Sequence, residues 1–281
     1  MGREGCIGIL AGSGPLPAQV AAVAQAKGRK VFVVAFRDFA DLALLAPYPH
    51  EVIRLAAAGE ILNALKRHGC TDLVLIGPVR RPAWRDLRPD ADGARILARL
   101  GRAIFSGDDG LLGAVVRVLG EEGFHVRGAH EFLEHATGHS GTLGKVRPDE
   151  QARQDIARGT TVLKAMAALD IGQGCVVQNG LVLAVEALEG TDAMLSRCGK
   201  LMQAGSGGVL VKMPKTGQDL RADMPTIGPA TLENAARNGL RGVAFQPGVT
   251  LMTDPVHCVE LADRYGLFLY GLTEEDLKEK A

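Results

Sequence analysis

Short, nearly uninterrupted apolar runs alternate with amphipathic stretches from Cys6 to Ile76, and that rhythm narrows the possible folds more than any other feature. Cys6-Ile7-Gly8-Ile9-Leu10-Ala11 reads as a buried strand, followed by the turn Gly12-Ser13-Gly14-Pro15. Residues 16–27 read as a helix, with Gly28 where a helix stops. A second strand is predicted over 31–36, a helix over 60–68 closed by Gly69, and a strand over 72–76 ending at Gly77-Pro78. Strands separated by helical patterns imply parallel βαβ units and a sheet covered on both faces, a Rossmann-like arrangement. Ligands of such sheets bind beyond the carboxyl ends of the strands. Gly12-Ser13-Gly14 and Gly77-Pro78-Val79-Arg80 both fall there.

The second half has a different rhythm. Two β-rich runs over 175–186 flank Asn179-Gly180, a strong hairpin signal. Further strands are predicted over 208–212, 240–245 and 249–252, with helices over 191–201, 230–238 and 255–265. This half is expected to be a mixed α/β domain, not a copy of the first. Gly107-Asp108-Asp109-Gly110-Leu111-Leu112 opens a helix that either aspartate can cap. The glycine-rich stretch 138–148 is expected to be the linker, before a long helix over 149–169. The expected α/β architecture is thus an N-terminal Rossmann-like parallel-sheet domain over 1–138 and a C-terminal mixed domain over 139–281, in keeping with 281 residues.

Lysine plus arginine and aspartate plus glutamate number 32 each, so no net field draws a polyanion, which argues against a dedicated nucleic-acid binder. The 5 cysteines form no CxxC pair, which argues against a disulfide framework or structural zinc and for a reducing compartment. No signal peptide or membrane span is read, so the expectation is a cytoplasmic protein with at most peripheral membrane contact.

The Gly12-Ser13-Gly14 turn can favour an anion through backbone N–H groups and the helix dipole. A nicotinamide reading asks for a small residue where Pro17 stands and an acid after the second strand, where Arg37 stands. Only a weak NADP version survives, and phosphate or sugar contact fits better. Arg80, Arg81, Arg85 and Arg88 flank the single Trp84. A solvated loop is the plain reading, but position raises phosphate contact for Arg80, whose fork suits a diphosphate. His125, His130, His135 and His139 are spaced across strand, turn and loop, so ordinary hydrogen bonding is expected before metal ligation. The run from Glu186 through Glu189-Gly190-Thr191-Asp192 caps a helix and also delivers carboxylates and N–H groups at a strand end.

The most informative tract runs from Lys212 to Pro229. It carries Lys215, Gln218, Asp219, Arg221 and Asp223 between apolar elements, and its prolines and glycines deny it regular structure. It is either a solvated connection or an active-site loop. Paired carboxylates beside cations are what Mg²⁺-assisted phosphoryl chemistry requires.

Four segments occur in order: Gly12 to Pro17, Gly107 to Leu112, Val182 to Asp192, and Gln218-Asp219-Leu220-Arg221-Ala222-Asp223-Met224-Pro225 with its continuation to Pro229. Together they resemble the LpxI-type UDP-2,3-diacylglucosamine pyrophosphatases of lipid A biosynthesis, over roughly 7–271. The resemblance implies Mg²⁺-dependent hydrolysis of UDP-2,3-diacylglucosamine to UMP and 2,3-diacylglucosamine 1-phosphate (lipid X), by attack on the sugar-side phosphorus, in a homodimer. It places the family's essential aspartate on Asp223, with Lys215 and Gln218 as further catalytic candidates; the mechanism that follows has the metal held by Asp223, with Asp219 or Asp192 as a second ligand. The expected substrate contacts are Gly12, Ser13, Gly14, Gly77, Arg80, Asp108, Asp109, Glu189, Gly190, Thr191 and Asp192. Where relatives often read Glu-Ala-Gly, this chain has Gln246-Pro247-Gly248, so a role at that position does not carry over. Two rival readings stand beside it: an NADP-dependent oxidoreductase, and a non-catalytic nucleotide-sugar or lipid-binding protein.

Overall fold

The computed structural model describes residues 5–80, 91–101, 103 and 108–278. Arg81, Trp84, Arg85, Arg88 and Gly107, together with the Asp108 side chain, lie outside what is described. Contacts divide the chain into two units: 1–133 with 219–223, and 134–218 with 224–281.

In the first unit the elements run β1 (Cys6–Ala11), α1 (Leu16–Ala26), β2 (Val31–Phe36), α2 (Leu42–Leu45), β3 (His50–Ile53), α3 (Ala58–Arg67), β4 (Cys70–Ile76), α4 (Ala91–Leu100), α5 (Asp108–Glu121) and β5 (His125–Arg127). The sheet is wholly parallel, in the order β3-β2-β1-β4-β5. β1 and β2 are buried along their whole length, which is why both read as unbroken apolar runs. The chain winds from β1 toward β2 and β3 on one side and returns to β4 on the other. The carboxyl ends of β1 and β4 therefore form the switch point where such sheets take ligands. β3 escaped the sequence reading because it is a four-residue edge strand, His-Glu-Val-Ile, without a clear alternation.

The second unit contains β6 (Gly141–Thr142), α6 (Glu150–Ala167), β7 (Gly174–Gln178), β8 (Leu181–Val185), α7 (Thr191–Cys198), β9 (Gly208–Lys212), β10 (Thr226–Ile227), α8 (Pro229–Arg237), β11 (Leu240–Phe245), β12 (Leu251–Met252), α9 (Pro255–Tyr265), β13 (Phe268–Gly271) and α10 (Glu274–Leu277). Its six-stranded sheet has the order β6-β13-β11-β9-β7-β8. β9, β11 and β13 are parallel, whereas β7, β8 and β6 enter antiparallel pairings, so the sheet is mixed. One face packs on α7, α8 and α9 through Leu210, Leu232 and Leu261, and the other on α6 through Ile156, Val209 and Val211. Asp149 caps α6 by accepting the Ala152 N–H at 2.8 Å. The predicted strand over 249–252 shrinks to β12, which pairs with β10 in a separate two-stranded sheet.

The β7–β8 hairpin turns through Asn179 and Gly180, both at positive φ, as a two-residue turn of that sequence should. Asp155, buried on α6, accepts both turn N–H groups, at 3.1 Å from Asn179 and 2.7 Å from Gly180. Among the described residues no helix is long and apolar enough to cross a membrane.

Candidate active site

At the switch point of the first unit, backbone packs on backbone. The Gly12 N–H donates to Ile76 O at 2.9 Å, and the Ser13 N–H and hydroxyl both donate to Pro78 O at 3.0 Å. A Cβ at Gly12 would lie 2.2 Å from Gly77 O, so only glycine permits this approach. The two N–H groups are thus spent inside the fold. Gly14 stands exposed beyond them, and Arg80 is exposed just after Pro78 and Val79. Asp109 is half-buried in the first turn of α5.

Residues 219–223, counted with this unit, form a single tight turn. Asp219 O accepts from the N–H groups of Ala222 (2.9 Å) and Asp223 (3.3 Å), and Ala222 packs against the apolar core beneath. The Asp219 carboxylate is gripped by its own neighbour: Arg221 Nε donates at 2.9 Å and its terminal nitrogen at 2.7 Å. The Arg221 side chain and N–H hold the Asp219 carboxyl below the usual aspartate range. Arg221 also lines a cavity with Asp72, Phe124, His125 and Arg127, along the edge strand β5. Asp223 is half-buried at the end of the turn.

In the second unit the chemistry collects where β8 and β9 end beside the start of β7. Gly174 of β7 is in register with Lys212 of β9, and Glu186 N–H donates to Gly174 O at 2.8 Å. Thr191, the first residue of α7, donates its hydroxyl to Glu186 Oε1 at 2.8 Å and accepts from the Lys212 ammonium. Gly190 caps that helix without a side-chain hydrogen bond. Asp192 is exposed and accepts from Asn234 at 2.9 Å. Glu189 pairs with Arg197 at 2.9 Å, and its own backbone N–H together with Arg197 holds its carboxyl low.

Lys215 is buried, and its ammonium meets Asp170 in an ion pair. Gln218 folds back on it, Oε1 accepting the Lys215 N–H at 3.0 Å while the Gln218 N–H donates to Lys215 O at 3.1 Å. Gln246, first in the divergent Gln246-Pro247-Gly248, donates its N–H to Lys212 O at 3.2 Å. The second unit therefore holds two groups, Thr191 with Glu186 and Lys212, and Lys215 with Gln218 and Asp170. Glu186 was flagged with its run, whereas sequence reasoning gave no role to Lys212 or Asp170. The signal available for Lys212 was a cation ending an otherwise apolar strand.

Among the described residues no three His, Cys, Asp or Glu side chains group as metal ligands. His125 lies on β5 and His130 in the turn that follows, while His135 and His139 belong to the second unit. All five cysteines are free and buried, and burial pushes the Cys175 and Cys258 thiols up to about 12, which keeps both protonated at neutral pH.

Fold and site define a two-unit α/β protein: a Rossmann-like parallel sheet joined to a mixed sheet whose strand ends carry buried ionisable groups. Residues 6–136 match the family model of the LpxI N-terminal domain, and residues 139–270 that of the LpxI C-terminal domain. The UDP-2,3-diacylglucosamine pyrophosphatase LpxI of Caulobacter vibrioides is 42% identical over 276 residues, spanning 96% of this chain and 98% of its own length. The chain belongs to the LpxI family.

Proposed function

We propose that this protein hydrolyses the phosphoanhydride of UDP-2,3-diacylglucosamine, releasing UMP and 2,3-diacylglucosamine 1-phosphate for lipid A biosynthesis. The observation that carries the reading is the 42% identity, over nearly the full length of both chains, to the Caulobacter pyrophosphatase. Asp223 is the acting carboxylate. Its neighbour Asp219 is paired with Arg221, and the family resemblance places the essential aspartate on Asp223.

Mg²⁺ commonly binds through one or two carboxylates plus substrate phosphates and needs no protein cage. Asp223 would supply such a carboxylate to a metal that arrives with the diphosphate. When bound, the ion supplies neutralisation of phosphate charge. Asp223 would orient the attacking water at the sugar-side phosphorus and accept its proton. Lys215, kept in place by Asp170 and Gln218, and Arg80 would meet developing negative charge. The backbone N–H groups at the start of α7 would donate to phosphate oxygens, with the Thr191 hydroxyl turned to Glu186, while Gly14 and Asp109 would contact the nucleotide part.

The reaction is assigned to the cytoplasm, at the surface of the inner membrane where a diacylated substrate resides, and to a homodimer, which light scattering on the purified chain would test. Incubation of the protein with UDP-2,3-diacylglucosamine and Mg²⁺ should release stoichiometric UMP, and EDTA should stop it. Intact substrate after long incubation would overturn the hydrolase in favour of a binding protein.

A further inference from the structure

The mixed sheet of the second unit buries a charge cluster beyond the residues assigned above. Lys212 is 5% exposed and Glu186 9% exposed, both at strand ends of the same sheet edge. Their charged groups form a loose ion pair, Lys212 Nζ lying 3.9 Å from Glu186 Oε2, beyond hydrogen-bond distance. Thr191 stands between them, accepting from the ammonium and donating to Glu186 Oε1. Glu186 Oε2 is buried without a hydrogen-bond partner among the described residues. An ammonium has three donors, and Thr191 is the one acceptor that Lys212 meets among the described residues. Burying both charges is costly unless their hydrogen-bonding capacity is used, and here Glu186 Oε2 and two of the ammonium's donors are left over among the described residues.

The backbone makes room for this arrangement. A Cβ on Gly174 would lie 2.7 Å from Glu186 Oε2, so glycine lets the carboxylate lie across the start of β7. The first N–H groups of α7, without a side-chain cap at Gly190, begin at the same Thr191.

We propose that Lys212 holds a phosphate oxygen of a diphosphate ligand at the carboxyl end of β9, and that Glu186 is its positioning residue, acting through Thr191. Glu186 fixes the hydroxyl that orients the ammonium and balances its charge until the anion arrives. The proposal rests on the phosphoanhydride reading but makes a separate claim about anion binding.

The two partners should therefore act with opposite sign on an anion. Calorimetric titration of the full chain with inorganic pyrophosphate should show binding weakened about tenfold or more by Lys212→Met and partly restored in Lys212→Arg. Glu186→Gln should bind pyrophosphate as tightly as wild type or tighter, because it removes a carboxylate that repels the anion, while kcat for UMP release falls. Unchanged pyrophosphate affinity in Lys212→Met, no binding by wild type, or equal losses in Lys212→Met and Glu186→Gln would each overturn the proposal. Should Lys212→Met not fold, the affinity of Glu186→Gln decides alone: a loss overturns the assignment. Wild type that binds pyrophosphate but releases no UMP would sink the hydrolase reading and leave this site standing.

Discussion

The two sheets treat their ligand-facing strand ends in opposite ways. In the parallel sheet the ends of β1 and β4 close backbone against backbone, with Gly12 pressed on Gly77 and two N–H groups of the glycine turn already spent. In the mixed sheet the ends of β8 and β9 and the start of β7 carry Glu186, Lys212 and Gly174, with ionisable groups buried beside a hydroxyl. The first edge offers shape and the second offers charge. A glycine-rich turn after a strand is thus not in itself a phosphate cradle, since its donors can be consumed by the neighbouring strand's loop.

Four perturbations would break or sharpen this contrast. The largest effect is expected at Asp223, which belongs to neither strand-end edge. Asp223→Ala should lower UMP release by ~10²–10⁴-fold, the range for a lost general base, with an unchanged thermal transition. Near-normal turnover would move the chemistry to the charged edge of the mixed sheet.

Gly12→Ala tests the backbone-packed edge, because its Cβ would meet a carbonyl oxygen that cannot swing aside. We expect a loss of about 2–3 kcal/mol in urea denaturation, as for overpacked cores. A loss confined to a few tenths would mean that the Gly12–Gly77 approach is loose.

The hairpin that sets β7 beside β8 depends on buried Asp155. Asp155→Ala strands two turn N–H groups and should cost about 2 kcal/mol. Amide exchange should rise first at Asn179 and Gly180, and protection retained there would show that the turn sequence alone holds the register of the charged edge.

The smallest effect concerns Asp219. Its folded pKa is held below the unfolded one by Arg221, so its contribution is complete above the unfolded value and fades as pH falls through the folded one. The pair is partly exposed, so the contribution should stay under ~1 kcal/mol. Asp219→Asn should lose that much stability at neutral pH and converge with wild type in acid. A gap that persists in acid would point to the turn geometry instead of the charge.

Much of this was legible before the structure. β1 and β2 were readable because strands buried on both faces must be apolar at every position, and Asn179-Gly180 announced its turn because both residues tolerate positive φ. Lys215 and Gln218 were marked by chemistry-bearing residues in a proline-bounded tract, and Thr191 by the carboxylate-bearing run after the hairpin. Lys212 and Asp170 were given no role, because a single charge at an element's end looks the same whether water or another charge receives it.

The amino-acid sequence by itself determined the α/β class, the parallel first half, the mixed second half and the tract that holds Asp223, since these follow from local periodicity and turn chemistry. Only the tertiary structure decided which donors remain for a ligand. It spends the Gly12 and Ser13 N–H groups on β4 and its loop, commits Asp219 to Arg221 and Lys215 to Asp170, and brings Lys212, Thr191 and Glu186 together from three separate elements. The physical reason is that hydrogen-bond capacity is settled by neighbours in space, and strand register, not sequence distance, chooses those neighbours.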